Sequence, residues 1–460
     1  MSVIHRVALA SAASVATIAA AALAMAPAAG AQARATASPH GSSFISHFHK
    51  ISTVASTVPG NGDVNPYGMA LVGRSQGRLH RGDVLISNFN NKKNLQGTGT
   101  TIVQVSPGGS RTTFARISAK HLPGACPGGI GLTTALSILH GGWVVVGSLP
   151  TTNGMSPTAK AGCLLVLDRW GHVRETLSGN GINGPWDMTA ISNHHFAQLF
   201  VTNVLNGTVA ANGKVVNRGT VLRLTLALHH RHAPHLVATT TIGSGFGQRT
   251  DPAALVVGPT GVGLNSHGTL YVADSLGNRI TAIPGAPFRN HSAGTGFPVT
   301  SGGAQNTPLG LTVAPNGNIL TVNGGDGKIV ETTPAGMQIA HRFLDKSGSP
   351  KGAGALFGLA VAPHGSGLYY VDDAVNTLRL LHYRSARACQ PGPVSRLGRG
   401  ARGEAPRPGL PVPSITPPTQ VTGPTRHSSH GPHPHALPPP ATSLISTVTF
   451  ARQSAHDAPR

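Results

Sequence analysis

The sequence predicts an all-β protein of the β-propeller class, and three observations support this fold. The 460-residue chain contains 60 glycines and 36 prolines but only 4% aromatic residues, a balance that favours strands joined by many turns. A phrase of apolar strand, polar residue and turn recurs six times. Five steps from Asn88 to Asp373 give a mean spacing of 57 residues, a period typical of propeller blades.

The recurring phrase ends each time on a polar residue before a turn. Its copies are "DVLISNFNN" (83–91), "WVVVGSLPT" (143–151), "QLFVTNVLNG" (198–207), "TLYVADSLGN" (269–278), "NILTVNGGDG" (318–327) and "GLYYVDDAVN" (367–376). The equivalent polar residues are Asn88, Ser148, Asn203, Asp274, Asn323 and Asp373.

Each copy is preceded by a small apolar strand and followed by a third strand, and most units add a fourth. This gives six units of about four short strands. An open β-solenoid would have far shorter coils, and a β-sandwich would not repeat one phrase six times.

The two ends of the repeat region complement each other. The sixth unit lacks a fourth strand after "NTLRLLHY", whereas the unassigned strand "HKISTVAST" (49–57) precedes the first unit. If the N-terminal strand becomes the outer strand of the last blade, the ring closes and no edge is left exposed. We therefore expect a six-bladed propeller over residues 44–385.

The repeats resemble those of the NHL-type six-bladed propellers. The clearest matches are "LYVADSLGNRI" with "GVGLNSHG" before it, "PLGLTVAPNGNILTVNGGDGKIVE" and "LFGLAVAPHGSGLYYVDD". The resemblance covers nearly the whole predicted propeller and implies that the first strand of each blade lines a central channel. It says little about function, because this architecture hosts binding modules and several unrelated enzymes.

The two ends of the chain have different compositions from the propeller. Residues 1–33 have the features of a signal peptide: His5 and Arg6 precede an apolar run, and "AQA" fits a cleavage site before Arg34. The run is also long enough for an uncleaved membrane anchor. Residues 386–460, rich in Pro, His and Arg, are expected to be a disordered tail. We expect a secreted or periplasmic protein.

Charge and cysteine usage exclude some classes of function. The net charge is +21, but the Lys and Arg residues are scattered singly, without the interleaved aromatic residues of a nucleic-acid site. Cys126, Cys163 and Cys389 have no zinc-binding spacing. In an oxidising compartment, we expect a Cys126–Cys163 disulfide, with Cys389 left over in the tail.

The recurring polar residue has two interpretations. Asp or Asn at a strand end can cap the following turn by accepting backbone hydrogen bonds. Alternatively, the six residues form a ring around the channel, where Asn203, Asp274 and Asp373 would suit Ca²⁺. Asp187 is a further candidate because it stands where other blades carry a small residue, and Trp186 beside it replaces the motif glycine. Trp186 either faces the channel mouth or fills a gap between blades.

Two classes of function remain open on the sequence. The first is a monomeric binding or scaffolding module for a protein, carbohydrate or small molecule, which the absence of GxSxG, HExxH and P-loop motifs favours. The second is a metal-dependent hydrolase or lyase, because the resemblance extends to gluconolactonase/regucalcin-like and streptogramin-lyase-like propellers. Such lactonases hold a divalent cation through a Glu, an Asn and an Asp. Asn203 and Asp274 match two of these ligands, but the first blade's "NPYGMALV" has no acid.

Overall fold

A computed structural model describes residues 42–229 and 232–383, which form six antiparallel sheets. The first strand, β1, spans Lys50–Ser56. Blades one and two contain β2 (Val64–Leu71), β3 (Val84–Asn90), β4 (Thr101–Val105), β5 (Arg111–Arg116), β6 (Leu132–Ile138), β7 (Val144–Ser148), β8 (Cys163–Leu167) and β9 (Val173–Leu177). Blades three and four contain β10 (Pro185–Ser192), β11 (Phe196–Asn203), β12 (Val216–Ala227), β13 (His235–Asp251), β14 (Leu255–Val257), β15 (Pro259–Leu264), β16 (Leu270–Asp274), β17 (Arg279–Ile283) and β18 (Phe297–Ser301). Blades five and six contain β19 (Pro308–Val313), β20 (Ile319–Asn323), β21 (Lys328–Thr332), β22 (Gln338–Phe343), β23 (Leu356–Val361), β24 (Gly367–Asp372) and β25 (Thr377–His382).

Short 3₁₀ helices lie in the connections between strands. They are Ile45–His47, Ala119–His121, His140–Gly142, Ser156–Thr158, Pro363–Gly365 and Asp373–Val375. No helix in the described part of the chain is long and apolar enough to cross a membrane. The predicted signal segment, the predicted tail and Cys389 lie outside the described residues.

The blades form a closed ring. The inner strands β2, β6, β10, β15, β19 and β23 contact one another in this order, and β23 in turn contacts β2. Strand β1 pairs antiparallel with β25, from Lys50 opposite His382 to Ser56 opposite Thr377, so the N-terminal strand is the outer strand of blade six. The predictions of six blades and of closure by this strand are confirmed.

The middle strands are buried on both faces because a neighbouring blade covers each side. Every residue of β3, β4, β7, β8, β16 and β20 is buried. This explains why these strands have nearly continuous apolar sequences rather than alternating ones. Between blades one and two, for example, Leu85 and Phe114 pack in one cluster with Leu165.

Blade three differs from the predicted four strands because it has five. Strand β13 extends past its partner β12, and its last residues, Arg249–Asp251, pair with the short strand β14. Leu255 and Val256 of β14 are buried in a cluster with Tyr67 and Trp186 from two inner strands. The extra hairpin therefore packs over the ends at which the inner strands begin.

Candidate functional site

The six inner strands share a register shift near their first residues. In blade one, Pro66 pairs with Asn88 and Met69 with Ile86, so β2 has one residue more than β3 over this interval. The other five inner strands also shift register here, and blade two has the larger shift. Two residues beyond the last paired residue before the shift, the inner strands have Gly68, Thr134, Asp187, Gly261, Gly310 and Gly358.

Glycine occupies this position in four blades because backbone from a neighbouring blade lies against it. A Cβ atom added at Gly310 would overlap the carbonyl oxygen of Phe357, and one at Gly358 would overlap that of Tyr67. Asp187 is the residue that replaces glycine in blade three. The predicted alignment, in which Trp186 took the glycine position, is therefore wrong by one residue, since Trp186 aligns with Tyr67 and Phe357.

Aromatic side chains close one end of the channel. The Tyr67 ring stacks on Phe357 and Phe89, with ring centroids 3.9 and 4.5 Å apart, and Trp186 meets Tyr67 edge-on at 5.8 Å. Tyr67 and Trp186 are each only 3% exposed. We call Tyr67, Phe89, Trp186 and Phe357 the aromatic plug. The hairpin strand β14 packs against it, so the channel is blocked on this face.

Beyond the plug lies a cavity of about 300 Å³, which we call the channel cavity. All six inner strands line it, and most wall residues are Leu, Ile, Val, Met, Ala or Gly. Hydroxyl groups come from Ser and Thr residues such as Thr134 and Thr312. Asp187 is the only titratable residue in the wall, and it lies at the end nearest the plug.

Backbone groups hold the Asp187 carboxylate. Its Oδ1 accepts from the N–H of Met188 at 2.8 Å, and its Oδ2 accepts from the N–H of Val262 on blade four at 3.2 Å. The Asp187 N–H donates to Thr202 Oγ1, which in turn donates to the Thr260 carbonyl. Burial raises the pKa of Asp187 to about 7, despite the opposing effect of the two N–H groups.

The recurring polar residues lie at the ends of the second strands, away from the channel cavity. Asn88, Asn203, Asp274 and Asn323 are buried, and each pairs with the first residue of the register shift in its own blade. In blade six that register position belongs to Asp372, which pairs with Leu356. The predicted assignment of this position to Asp373 is therefore wrong by one residue, because Asp373 begins the following 3₁₀ helix.

Their hydrogen bonds fasten turns and the connections between blades. Asn88 Nδ2 donates to the Thr57 carbonyl at 3.1 Å, and Asn323 Nδ2 donates to the Ala304 carbonyl at 2.8 Å. Asn203 Oδ1 accepts from the N–H of Asn183 at 3.1 Å. In each case the partner precedes the inner strand of the same blade, so the side chain joins the blade's second strand to its entry segment.

Asp274 holds the turn that follows it. Its Oδ1 accepts from the Gly277 N–H at 3.0 Å, and its Oδ2 forms an ion pair with Arg279 Nε at 2.8 Å. The Arg279 guanidinium therefore supplies the positive charge that a metal ion would otherwise provide. Gly277 is required beside it, because a Cβ there would lie 2.5 Å from Asp274 Oδ2.

The structure does not bring the three predicted calcium ligands together. Asn203, Asp274 and Asp373 belong to blades three, four and six, and none of them lines the channel cavity. Calcium takes six to eight oxygen ligands, whereas the cavity wall offers one carboxylate. Within residues 42–229 and 232–383, no group of three or more His, Cys, Asp or Glu side chains could hold a metal ion. Asn203, Asp274 and Asp373 therefore do not form the predicted calcium site.

Asp373 has its own polar surroundings beside the plug. With the Asn65 amide turned so that its nitrogen faces the carboxylate, Nδ2 donates to both Asp373 oxygens, at 2.5 and 2.8 Å, and Oδ1 accepts from Asn90 Nδ2 at 2.9 Å. Burial, followed by the neighbouring Asp372 charge, raises the pKa of Asp373 to about 8. Burial, followed by the charge of Asp373 itself, raises the pKa of Tyr67.

Blade two contains a disulfide bond. Cys126, in the connection before β6, is bonded to Cys163 at the start of β8, with an S–S distance of 2.05 Å. The bond closes a loop over 37 positions of sequence and fixes the entry segment of the blade to its third strand.

Solved structures of several propeller proteins are similar to this chain. They include a gluconolactonase of Xanthomonas campestris (13% identity, TM-score 0.44, covering 73% of this chain and 89% of that chain) and a streptogramin B lyase (13% identity, TM-score 0.41, 75% and 100%). Regucalcin of Agrobacterium tumefaciens, a calcium-binding protein, is 12% identical with a TM-score of 0.42 (73% and 96%). At this level the likeness concerns the six-bladed propeller fold alone. No protein-family model matches the sequence, and no curated protein matches it.

Proposed function

We propose that the chain is an extracytoplasmic binding protein and that the channel cavity receives a small-molecule ligand. The observation that carries this proposal is the construction of the cavity, which is blocked at one end and presents a mainly polar surface although most wall residues are apolar. Concave pockets in which placed polar groups accompany apolar residues are typical of small-molecule sites. The volume of about 300 Å³ is at the lower end of their usual range.

The residues of the wall favour binding over catalysis. General acid–base chemistry usually pairs two groups whose environments separate their pKa values. The channel cavity has one titratable side chain, Asp187, and its hydroxyl groups have no titratable partner in the wall. We therefore favour a binding module over the metal-dependent hydrolase or lyase.

Two further observations support an extracytoplasmic location. The N-terminal sequence has the basic, apolar and small-residue regions of a signal peptide. The Cys126–Cys163 bond belongs to an oxidising compartment, since structural disulfides are rare in the cytosol.

A fragment screen on the purified chain tests the channel as the binding site. Ala360→Phe and Ala190→Phe would each fill the cavity from a different blade, and Ala119→Phe places the same ring on an exposed 3₁₀ helix as the control. We expect fragments to raise the melting temperature of the parent chain and of Ala119→Phe, but not of the two filled variants. Fragments that bind all four proteins equally, or none, would overturn the proposal.

A further inference from the structure

Asp187 gives the channel cavity a specific chemical character. We propose that the ligand is a small organic ammonium ion, whose charged nitrogen contacts the Asp187 carboxylate and whose hydrocarbon part packs on the inner strands. This inference rests on the proposed function of the channel and names the class of molecule it takes.

No positively charged group in the described chain neutralises the Asp187 carboxylate. Its hydrogen-bond donors are two backbone N–H groups, those of Met188 and Val262. The ion pairs among the described residues involve other carboxylates, namely Asp168, Asp251, Asp274, Asp326 and Asp372. A carboxylate that has lost much of its water and has no counter-charge is costly, so a ligand cation gains strong attraction there.

Asp187 also occupies a position at which most blades have no side chain. Four other blades have glycine at this step of the inner strand, where backbone crowding leaves no room for a side chain. Blade three accommodates a carboxylate and bonds it across to blade four through Val262. No fold requirement shared by the blades demands this aspartate, because four of them form the same bulge without it.

The wall selects an organic cation rather than a metal ion. Calcium and magnesium need six or more oxygen ligands, whereas an ammonium group has three N–H donors and no acceptor. Near Asp187 the Thr134 hydroxyl is already used, since it donates to the Trp186 carbonyl at 2.7 Å. The partly exposed wall side chains of Ala190, Val313 and Ala360 are apolar and would contact a hydrocarbon group.

The test is isothermal titration of the full chain with butyl-, hexyl- and benzylammonium and with the corresponding neutral alcohols, at about pH 8, where Asp187 is ionised. The variants are Asp187→Asn, Asp187→Gly, which introduces the residue that four other blades have, and the filled variant Ala360→Phe. We expect at least one ammonium ion to bind the parent chain and to lose about tenfold or more in affinity in both Asp187 variants. The alcohols should bind the parent and the Asp187 variants alike.

The outcomes separate this inference from the proposed function. If the ammonium ions and alcohols bind equally, if Asp187 can be replaced without loss, and if Ala360→Phe abolishes binding, the ammonium inference is overturned while the channel site stands. If no fragment and no ammonium ion binds, both fail.

Proton release gives a second readout that a structural role would not produce. Because the pKa of Asp187 is about 7, an ammonium ion that binds it near neutral pH should displace part of a proton. The measured heat should then depend on the buffer in the parent chain but not in Asp187→Asn. Heat that is independent of buffer in both would count against the contact.

Discussion

The carboxylate of Glu331 accepts a hydrogen bond from the backbone N–H of Ile45 at 2.9 Å, across 286 positions of sequence. Glu331 lies in β21 of blade five, whereas Ile45 begins the segment that leads into β1. The same carboxylate accepts from the Phe44 N–H, the Ser43 hydroxyl and the Asn318 amide. These bonds fix the start of the closing strand to the preceding blade.

Replacing Glu331 should therefore loosen the ring closure. Glu331→Gln keeps the shape of the side chain but removes the charge and places an NH₂ group among donors. We expect a loss of about 3 kcal/mol in the free energy of unfolding, since hydrogen bonds to charged groups are worth more than neutral ones. Denaturant unfolding measures it, and Glu175→Gln, in outer strand β9, should change stability little. Equal stability of the two variants would contradict the role of Glu331.

The closing strand should matter more for stability than the C-terminal tail. Deletion of residues 44–57 removes β1 and exposes the edge of β25 in blade six, because these two strands pair along their length. We expect a lower melting temperature or aggregation. Deletion of 390–460 should leave the melting transition nearly unchanged, because all six sheets lie between residues 50 and 382. Similar losses from both deletions would contradict closure by the N-terminal strand.

The fold could be predicted from the sequence because the middle strands are covered on both faces. Burial on both sides produces continuous apolar runs, which made the six copies visible. The fifth strand of blade three was missed because Leu255–Val257 is short and follows an unusually long strand. The bond between Glu331 and Ile45 joins residues in different blades, and no local pattern marks such a contact.

Substitution of Gly310 tests how closely the inner strands of neighbouring blades pack around the channel. A Cβ atom there would overlap the carbonyl oxygen of Phe357 on the next blade, and backbone cannot give way as a side chain can. Gly310→Ala should therefore cost about 3 kcal/mol of unfolding free energy. Gly60→Ala is the matched control, because no atom lies within 4 Å of a Cβ added at this exposed turn. If Gly310→Ala melts like the control, strands β19 and β23 can move apart to accommodate the methyl group at no cost in stability.

The candidate site was less predictable than the fold, and the reason is the register shift. The sequence marks Asp187 as unusual, but the extra residues of the inner strands within the register shift hide its equivalence to Gly310 and Gly358. Adjacent acids caused the error in blade six, where only the pairing with Leu356 distinguishes Asp372 from Asp373. A one-residue difference along a bulged strand changes which side chain lines the channel, and composition does not reveal it.

The pH dependence of stability should report the burial of Asp187. Its pKa is about 7 in the folded protein and about 4 in an unfolded chain, so between these values the folded state binds more protons. Unfolding free energy then falls as pH rises from about 4 to 7, and Asp187→Asn lacks this loss. Melting curves should show the advantage of Asp187→Asn over the parent growing from about pH 4 to pH 7 and levelling off at higher pH. Asp168→Asn should show the opposite effect, a stability deficit at neutral pH, because burial raises the pKa of Asp168 but the hydrogen bonds from His172, Arg174 and Trp170 outweigh it and lower that pKa. Its deficit should shrink as the pH falls below about 4, where the parent chain also loses that charge. A constant difference between Asp187→Asn and the parent across this range would mean that the carboxylate is as well solvated in the channel as in the unfolded chain.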